Sequence, residues 1–197
     1  MFVGRDKELS FLNEMYAEKS GNFILIYGRR RIGKTALVNK FIDDKKAIYL
    51  PATMEEGNQN IRRFTQEISQ FFNDQLMFDN PLSDFDSFFQ IQDWKIKSCN
   101  SKIIVVFDEI QRIEGWERFV SRLRTSRRII ITGSNSDLLR GNLSSFITGR
   151  HIDLTIFPFS FREFLKLNDV EIIGEWYLYD DKRAMVKQMF NNYLVKQ

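Results

Sequence analysis

Cysteine and histidine are nearly absent from this chain, with one of each in 197 residues. The lone Cys99 excludes an internal disulfide. A chain of this length needs none, since it buries roughly 70% of the surface that its unfolded form exposes. Cys99 reads as a small, at least half-buried residue, and its solitude suits a reducing, cytoplasmic setting. The lone His151 argues against a histidine-based metal site and reads as structural. No apolar run approaches the roughly 18 residues of a membrane-spanning helix, so no membrane role is expected. Charges at Arg5, Asp6, Lys7 and Glu8 argue against a secretory leader. Charge of one sign is scarce too. The 29 Lys and Arg against 26 Asp and Glu leave +3, which permits nucleic acid as a partner but does not argue for it. No internal repeat, low-complexity tract or linker is visible. Phenylalanine is abundant, at 19 copies, and most of these are expected in the core.

Against that background one segment carries chemistry. Residues 28–35 read Gly28-Arg29-Arg30-Arg31-Ile32-Gly33-Lys34-Thr35, which is G-x-x-x-x-G-K-T, the phosphate-binding P-loop. Its glycines let the backbone curl so that several N–H groups face one concavity. The concavity opens at a helix N-terminus, where unsatisfied donors and the helix dipole favour an anion. Lys34 is placed to reach the β- and γ-phosphates, and the Thr35 hydroxyl to ligate Mg²⁺. The plain alternative is a glycine-rich strand-to-helix turn. Context favours the ligand. Asn22 to Tyr27 is a short apolar run that fits a buried parallel strand. After Thr35 and Ala36, Leu37 and Phe41 lie four apart on one helical face.

The rest of the chain repeats that alternation. Leu9, Leu12 and Tyr16 recur at helical spacing behind Asp6, a candidate N-cap. Ala47 to Leu50 is a strand closed by Pro51. Ile61, Phe64, Ile68 and Phe71/Phe72 keep a helical period over 56–72, and Asp79-Asn80-Pro81 is a break. Phe85, Phe88 and Phe89 open a further helix toward Lys97. Lys102 to Phe107 is the most strand-like run. Trp116 to Leu123 is helical, Arg128 to Thr132 is a strand, a short helix follows near Asp137–Arg140, and His151 to Ile156 alternates like a last strand. Ser160-Phe161-Arg162-Glu163 is a capping box, S-x-x-E, opening a helix through Leu167. Strands alternating with helices predict a parallel sheet with helices on both faces, with ligands gathering at the carboxyl ends of the strands.

Two more motifs follow strand ends. Asp108, after an apolar run, fits the acid that holds Mg²⁺ beside a P-loop, through water because Mg²⁺ keeps much of its hydration shell. Glu109, one residue on, falls on the other side of the pleat, where an acid can orient and deprotonate a water for in-line attack. The plain alternative for the pair is a solvated turn. Asn135, or Ser134 beside it, is placed to bond the γ-phosphate or the water. Arg150 is a candidate arginine finger supplied to a neighbouring subunit, which implies a homo-oligomer; a surface ion pair is its plain alternative.

With these residues in view, the chain resembles the archaeal-type AAA+ ATPases among the P-loop NTPases, and their bacterial relatives that carry a nuclease-like C-terminal region. The matching pieces run in family order: Phe2-Val3-Gly4-Arg5-Asp6-Lys7-Glu8-Leu9, Tyr27 to Thr35, Phe107-Asp108-Glu109-Ile110-Gln111, Thr132-Gly133-Ser134-Asn135-Ser136, Thr148-Gly149-Arg150 and Pro158 to Phe164. The resemblance implies a three-layer αβα sandwich around a central, mostly parallel five-stranded sheet. It implies ATP and ADP as ligands rather than GTP, with Mg²⁺. It implies Val3 and Arg5 near the adenine, residues 28–36 including Ile32 and Ala36 around the phosphates, and Asn135 or Ser134 as a first sensor. Members usually continue into a helical lid and further regions. The expected organisation here is an ATP-binding core over 1–160 and the start of a lid over 161–197, without a second sensor arginine.

Basic residues remain to be placed. Arg29, Arg30 and Arg31 fill the variable part of the P-loop and can meet phosphate, a neighbouring subunit, nucleic acid or only solvent. Arg118 and Arg122 lie four apart on one helical face near Arg112, Arg124, Arg127 and Arg128, diluted by Glu114 and Glu117. The expected function is Mg²⁺-dependent ATP hydrolysis driving a conformational or assembly change, in a process that includes DNA among its candidates. The alternative is an ATP-dependent switch that turns over slowly or not at all. A phosphotransferase is disfavoured by Glu109.

Overall fold

The computed structural model describes residues 2–18, 21–99, 102–116, 128–134, 151–172 and 174–196. It contains two compact units, one of Lys7–Ile156 and one joining Met1–Asp6 to Phe157–Gln197.

The larger unit is built on a parallel sheet. Its strands are β1 (Phe23–Tyr27), β2 (Ala47–Pro51), β3 (Ile104–Asp108), β4 (Arg128–Gly133) and β5 (Ile152–Thr155). They lie in the order β2-β3-β4-β1-β5, each neighbour pair parallel. This is the five-stranded parallel α/β arrangement expected. β1 and β3 are buried at every position, as strands covered on both faces must be, and so they read as unbroken apolar runs. β2, at one edge, alternates between buried and half-buried residues. Its Pro51 lies at the strand end of that edge, where a missing donor costs least.

The pleat sorts the core into two faces. Leu25, Tyr27, Ile48, Leu50, Val105, Phe107, Ile129 and Ile131 share one buried cluster with Ile61, Phe64 and Ile68 of α3 (Gly57–Phe72) and Phe88 of α5 (Phe85–Ser98). The opposite face meets α1 (Asp6–Ala17) and α2 (Lys34–Ile42). There Leu12, Ile24, Phe41, Ile104 and Ile130 line one small cavity. Asp6 is the first helical residue of α1, one position inside the expected cap. α3 ends where Asn73 turns left-handed at φ 52° and its N–H bonds back to the last helical carbonyls. A short α4 (Gln75–Asp79) occupies the segment before the expected break. Asp74 caps it and Asp84 caps α5, each accepting from a backbone N–H. Trp116 is buried, but the helix expected to continue from it and the one near 137–140 lie outside the described residues.

In the smaller unit, α6 (Phe161–Leu167) starts with the expected capping box, Ser160 and Glu163 bonding each other's backbone. Phe161 packs its ring on Phe190 and Tyr193 of α7 (Asp180–Lys196) at 5.1 and 5.5 Å between centroids. Tyr193 donates to the carbonyl of Phe159 at 2.8 Å. Among the described residues no helix is long and apolar enough to cross a membrane.

Candidate functional site

β1 delivers the chain to Gly28, where a side chain has no room. Ile156 N–H donates to the Tyr27 carbonyl at 2.8 Å, and this pairing brings the Ile156 carbonyl to within 2.3 Å of where a Gly28 Cβ would stand. The loop closes on Gly33, left-handed at φ 90°, whose missing Cβ faces open space. Gly33 caps α2, and its carbonyl accepts from Leu37 N–H at 2.9 Å. The first N–H groups of an α-helix such as α2 have no partner within the helix, the condition for an anion at a helix N-terminus. Arg29, Arg30 and Arg31 are exposed on the loop, Arg31 with φ 64°. Ile32 is half-buried and Ala36 exposed.

Lys34 is buried. Its ammonium donates to the carbonyls of Gly28 at 3.0 Å and Arg29 at 2.9 Å. It also lies 3.8 Å from Glu109 Oε1. Burial pulls its pKa below the ordinary lysine value, while the Glu109 and Asp108 carboxylates work the other way. An incoming phosphate adds negative charge and favours the protonated form further.

The acid expected beside the P-loop is there, although its strand does not neighbour β1. β4 lies between β3 and β1, and Thr132 of β4 fills the gap. The Thr132 hydroxyl donates to Asp108 Oδ1 and accepts from the N–H of Glu109 at 3.0 Å. Asp108 Oδ2 accepts from Thr35 Oγ1 at 3.0 Å and from the Tyr49 hydroxyl at 2.5 Å. Burial, then the neighbouring Asp108 carboxylate, raise the Tyr49 phenol well above its ordinary range, so it stays a donor.

Glu109 departs from the expected pleat alternation. β3 ends at Asp108, and Glu109 turns left-handed at φ 55°. Its carboxylate accepts from Gln111 Nε2 at 2.9 Å and lies 3.7 Å from Arg112. Gln111 Nε2 also reaches Ser134 Oγ at 3.3 Å. A carboxylate can only accept, so the amide nitrogen faces Glu109. The buried Gln111 Oε1 has no hydrogen-bond partner among the described residues.

Lys34, Thr35, Asp108, Glu109 and Ser134 thus come together. Asn135 and Arg150 lie outside the described residues, as do Arg118, Arg122, Arg124 and Arg127. Arg128, grouped with them in sequence, instead donates to the carbonyls of Tyr16, in the last turn of α1, and of Glu18, just beyond it. Val3 and Arg5 belong to the smaller unit. Arg5 is buried with φ 65°, donates to the Phe157 carbonyl at 2.6 Å and lies over the Phe159 ring at 4.8 Å. Tyr49, Thr132 and Gln111 had no role assigned from sequence. Thr132 and Gln111 lie in the stretches Thr132–Ser136 and Phe107–Gln111, whereas Tyr49 carries no sequence signal.

The donor set suits a hard cation. Thr35 and Asp108 offer oxygen, and among the described residues no cluster of three His, Cys, Asp or Glu could hold a metal unaided. Such a pair fits Mg²⁺, which takes one or two protein oxygens beside phosphate oxygens and waters.

Known proteins resemble this chain in sequence and in fold. The model of a family described as "AAA domain" matches residues 20–165, more than half of the chain. An uncharacterized protein of Haemophilus influenzae is 31% identical over 189 residues, covering 93% of this chain and 41% of that one. A protein of Methanocaldococcus jannaschii called an uncharacterized ATP-binding protein is 52% identical over 46 residues, covering 23% of this chain and 78% of that one. Among solved structures, a STAND (Signal Transduction ATPase with Numerous Domains) protein with a tetratricopeptide repeat sensor from Pyrococcus horikoshii matches with a TM-score of 0.54. That match is 19% identical and covers 84% of this chain and 25% of that chain, a likeness of fold. The chain thus spans less than half the length of the Haemophilus protein it resembles over most of its residues.

Proposed function

Because the chain belongs to the AAA domain family and carries an AAA-type P-loop ATPase domain, we propose that it binds ATP with Mg²⁺ and hydrolyses the γ-phosphate. The cycle drives a conformational or assembly change in a cytoplasmic protein. One observation carries this reading: the 3.0 Å hydrogen bond from Thr35 to Asp108. It joins the helix that follows the phosphate loop to a carboxylate two strands away, and the Lys34 ammonium lies 3.8 Å from the next acid.

In this reading the N–H groups that open α2 and the Lys34 ammonium bind the phosphates and oppose charge that grows on them in the transition state. Thr35 and Asp108 hold Mg²⁺, which supplies charge neutralisation on phosphate oxygens when bound. Glu109 accepts the proton of the attacking water at its carboxylate, and Asn135 or Ser134 orients that water. Val3 and Arg5 contact the adenine. Arg150 serves a neighbouring copy, so turnover per chain rises with protein concentration. Residues 161–197 are the start of a helical lid that follows the ATP-binding core of 1–160.

A second reading, a slow or non-hydrolysing switch, is favoured by the contacts of Glu109, whose carboxylate is engaged by Gln111 and flanked by Lys34 and Arg112. Calorimetry and turnover on the same protein separate the two. Wild type is expected to bind ATP with Mg²⁺, and Lys34→Ala to lose that binding. Glu109→Gln is expected to keep binding while turnover falls by roughly 10²–10⁴-fold. No ATP binding by wild type overturns both readings. Binding with turnover that is negligible in wild type and unchanged in Glu109→Gln selects the switch.

A further inference from the structure

Asp108 is met by more donors than the phosphate loop supplies. Thr35 is one. The other two come from neighbouring strands: Thr132 on β4 and Tyr49 on the edge strand β2. Register explains the reach of Tyr49. Tyr49 pairs with Val106, and Asp108 lies two residues further along β3, on the same face. One strand spacing and two residues of rise separate the two backbones, a gap that a tyrosine ring spans. A phenylalanine there fills the same volume and donates nothing.

An ionised carboxylate offers about four lone-pair sites. Among the described residues, hydroxyls take three of those on Asp108, two of them on Oδ2. We propose that Tyr49 is a positioning residue for the Mg²⁺ site: by donating to Asp108 Oδ2 beside Thr35 it holds the orientation of the carboxylate at the strand end. The inference rests on the nucleotide reading above and adds a residue to it. Partners in the second shell of a metal site hold the ligand's orientation, and their loss typically weakens metal affinity roughly 10–100-fold.

The test uses the full chain and ADP, so that no turnover intervenes. ADP affinity is measured by calorimetry in excess EDTA and again across a Mg²⁺ titration. Tyr49→Phe is expected to keep metal-free ADP affinity within about twofold of wild type, while the Mg²⁺ concentration for half-saturation rises about 10-fold. An unchanged Mg²⁺ titration overturns the proposal. So does an equal loss with and without the cation, since a purely structural tyrosine would weaken both. Tyr49→Met, which also removes the hydroxyl, serves if the phenylalanine variant does not fold. Wild type that binds no ADP under either condition refutes the nucleotide reading instead, a distinct result.

Discussion

Two carboxylates, one in each unit of the molecule, are wrapped in hydrogen-bond donors, and the donors differ in kind. Asp108, buried at the end of β3, is held by three side-chain hydroxyls. Glu163, in the first turn of α6, is held by the backbone N–H groups of Arg5 and Ser160 and by the Ser160 hydroxyl. Burial tends to raise the Glu163 pKa, but the bonds from Ser160 and Arg5 outweigh it and keep the carboxyl below its ordinary range. The Thr35 and Thr132 hydroxyls can rotate, so part of the Asp108 shell can adjust to a ligand while Tyr49 holds the carboxylate. A backbone N–H cannot rotate, so the Glu163 shell is a clasp that ties the N-terminal segment to a helix start. The same functional group thus serves a site in one unit and an anchor in the other.

Substitution separates the two, and the largest effect is expected at Asp108. Asp108→Asn should lower ATP turnover roughly 100-fold or more, about 2.7 kcal/mol of barrier. Its folding free energy should change by less than about 1 kcal/mol, because the surrounding hydroxyls reorient to accept from the new amide. A steady-state assay paired with urea unfolding checks both halves, and a large stability loss would mean that the Asp108 shell is as much an anchor as the Glu163 clasp.

The next effect is steric and tests how rigid the strand-built unit is. Gly28→Ala sets a Cβ 2.3 Å from the Ile156 carbonyl, a backbone atom already committed to the sheet edge. It should cost roughly 1–3 kcal/mol, read as a lowered urea midpoint. A neutral result means that β5 yields easily.

The smallest effect belongs to the clasp. Glu163→Gln turns an amide N–H toward a backbone N–H that cannot rotate, and should cost about 1 kcal/mol. The pH dependence has a definite sign. The folded pKa lies below the unfolded one, so the contribution is fully present above the ordinary carboxyl range and is lost as pH falls through the lowered value. Thermal melts from neutral toward acid pH should therefore show a shallower acid limb in Glu163→Gln than in wild type. Parallel limbs would mean that the clasp contributes nothing to acid stability.

Much of the site was legible because its signals are local. Gly28 to Thr35 is a contiguous string whose spacing states its task, and Asp108-Glu109 announces itself by ending an apolar run. Ser160 and Glu163 form a cap within one turn. Tyr49 and Thr132 carry no such mark. Each is a hydroxyl inside a β-run, a common residue there, and each gains meaning only because β3 stands between β2 and β4. The left-handed turn at Glu109 was hidden for a related reason: pleat alternation predicts a side only while the strand continues.

By itself, then, the order of residues determined the alternation of strands and helices, the phosphate loop and the presence of a strand-end acid. These follow from propensity, period and contiguity, which are properties of neighbours along the chain. Only the tertiary structure decided that the acid lies two strands from the loop, that a threonine on β4 bridges the gap, and that a tyrosine from the sheet edge completes its shell. Strand order and register arise from packing between segments far apart in sequence, and no spacing along the chain records them.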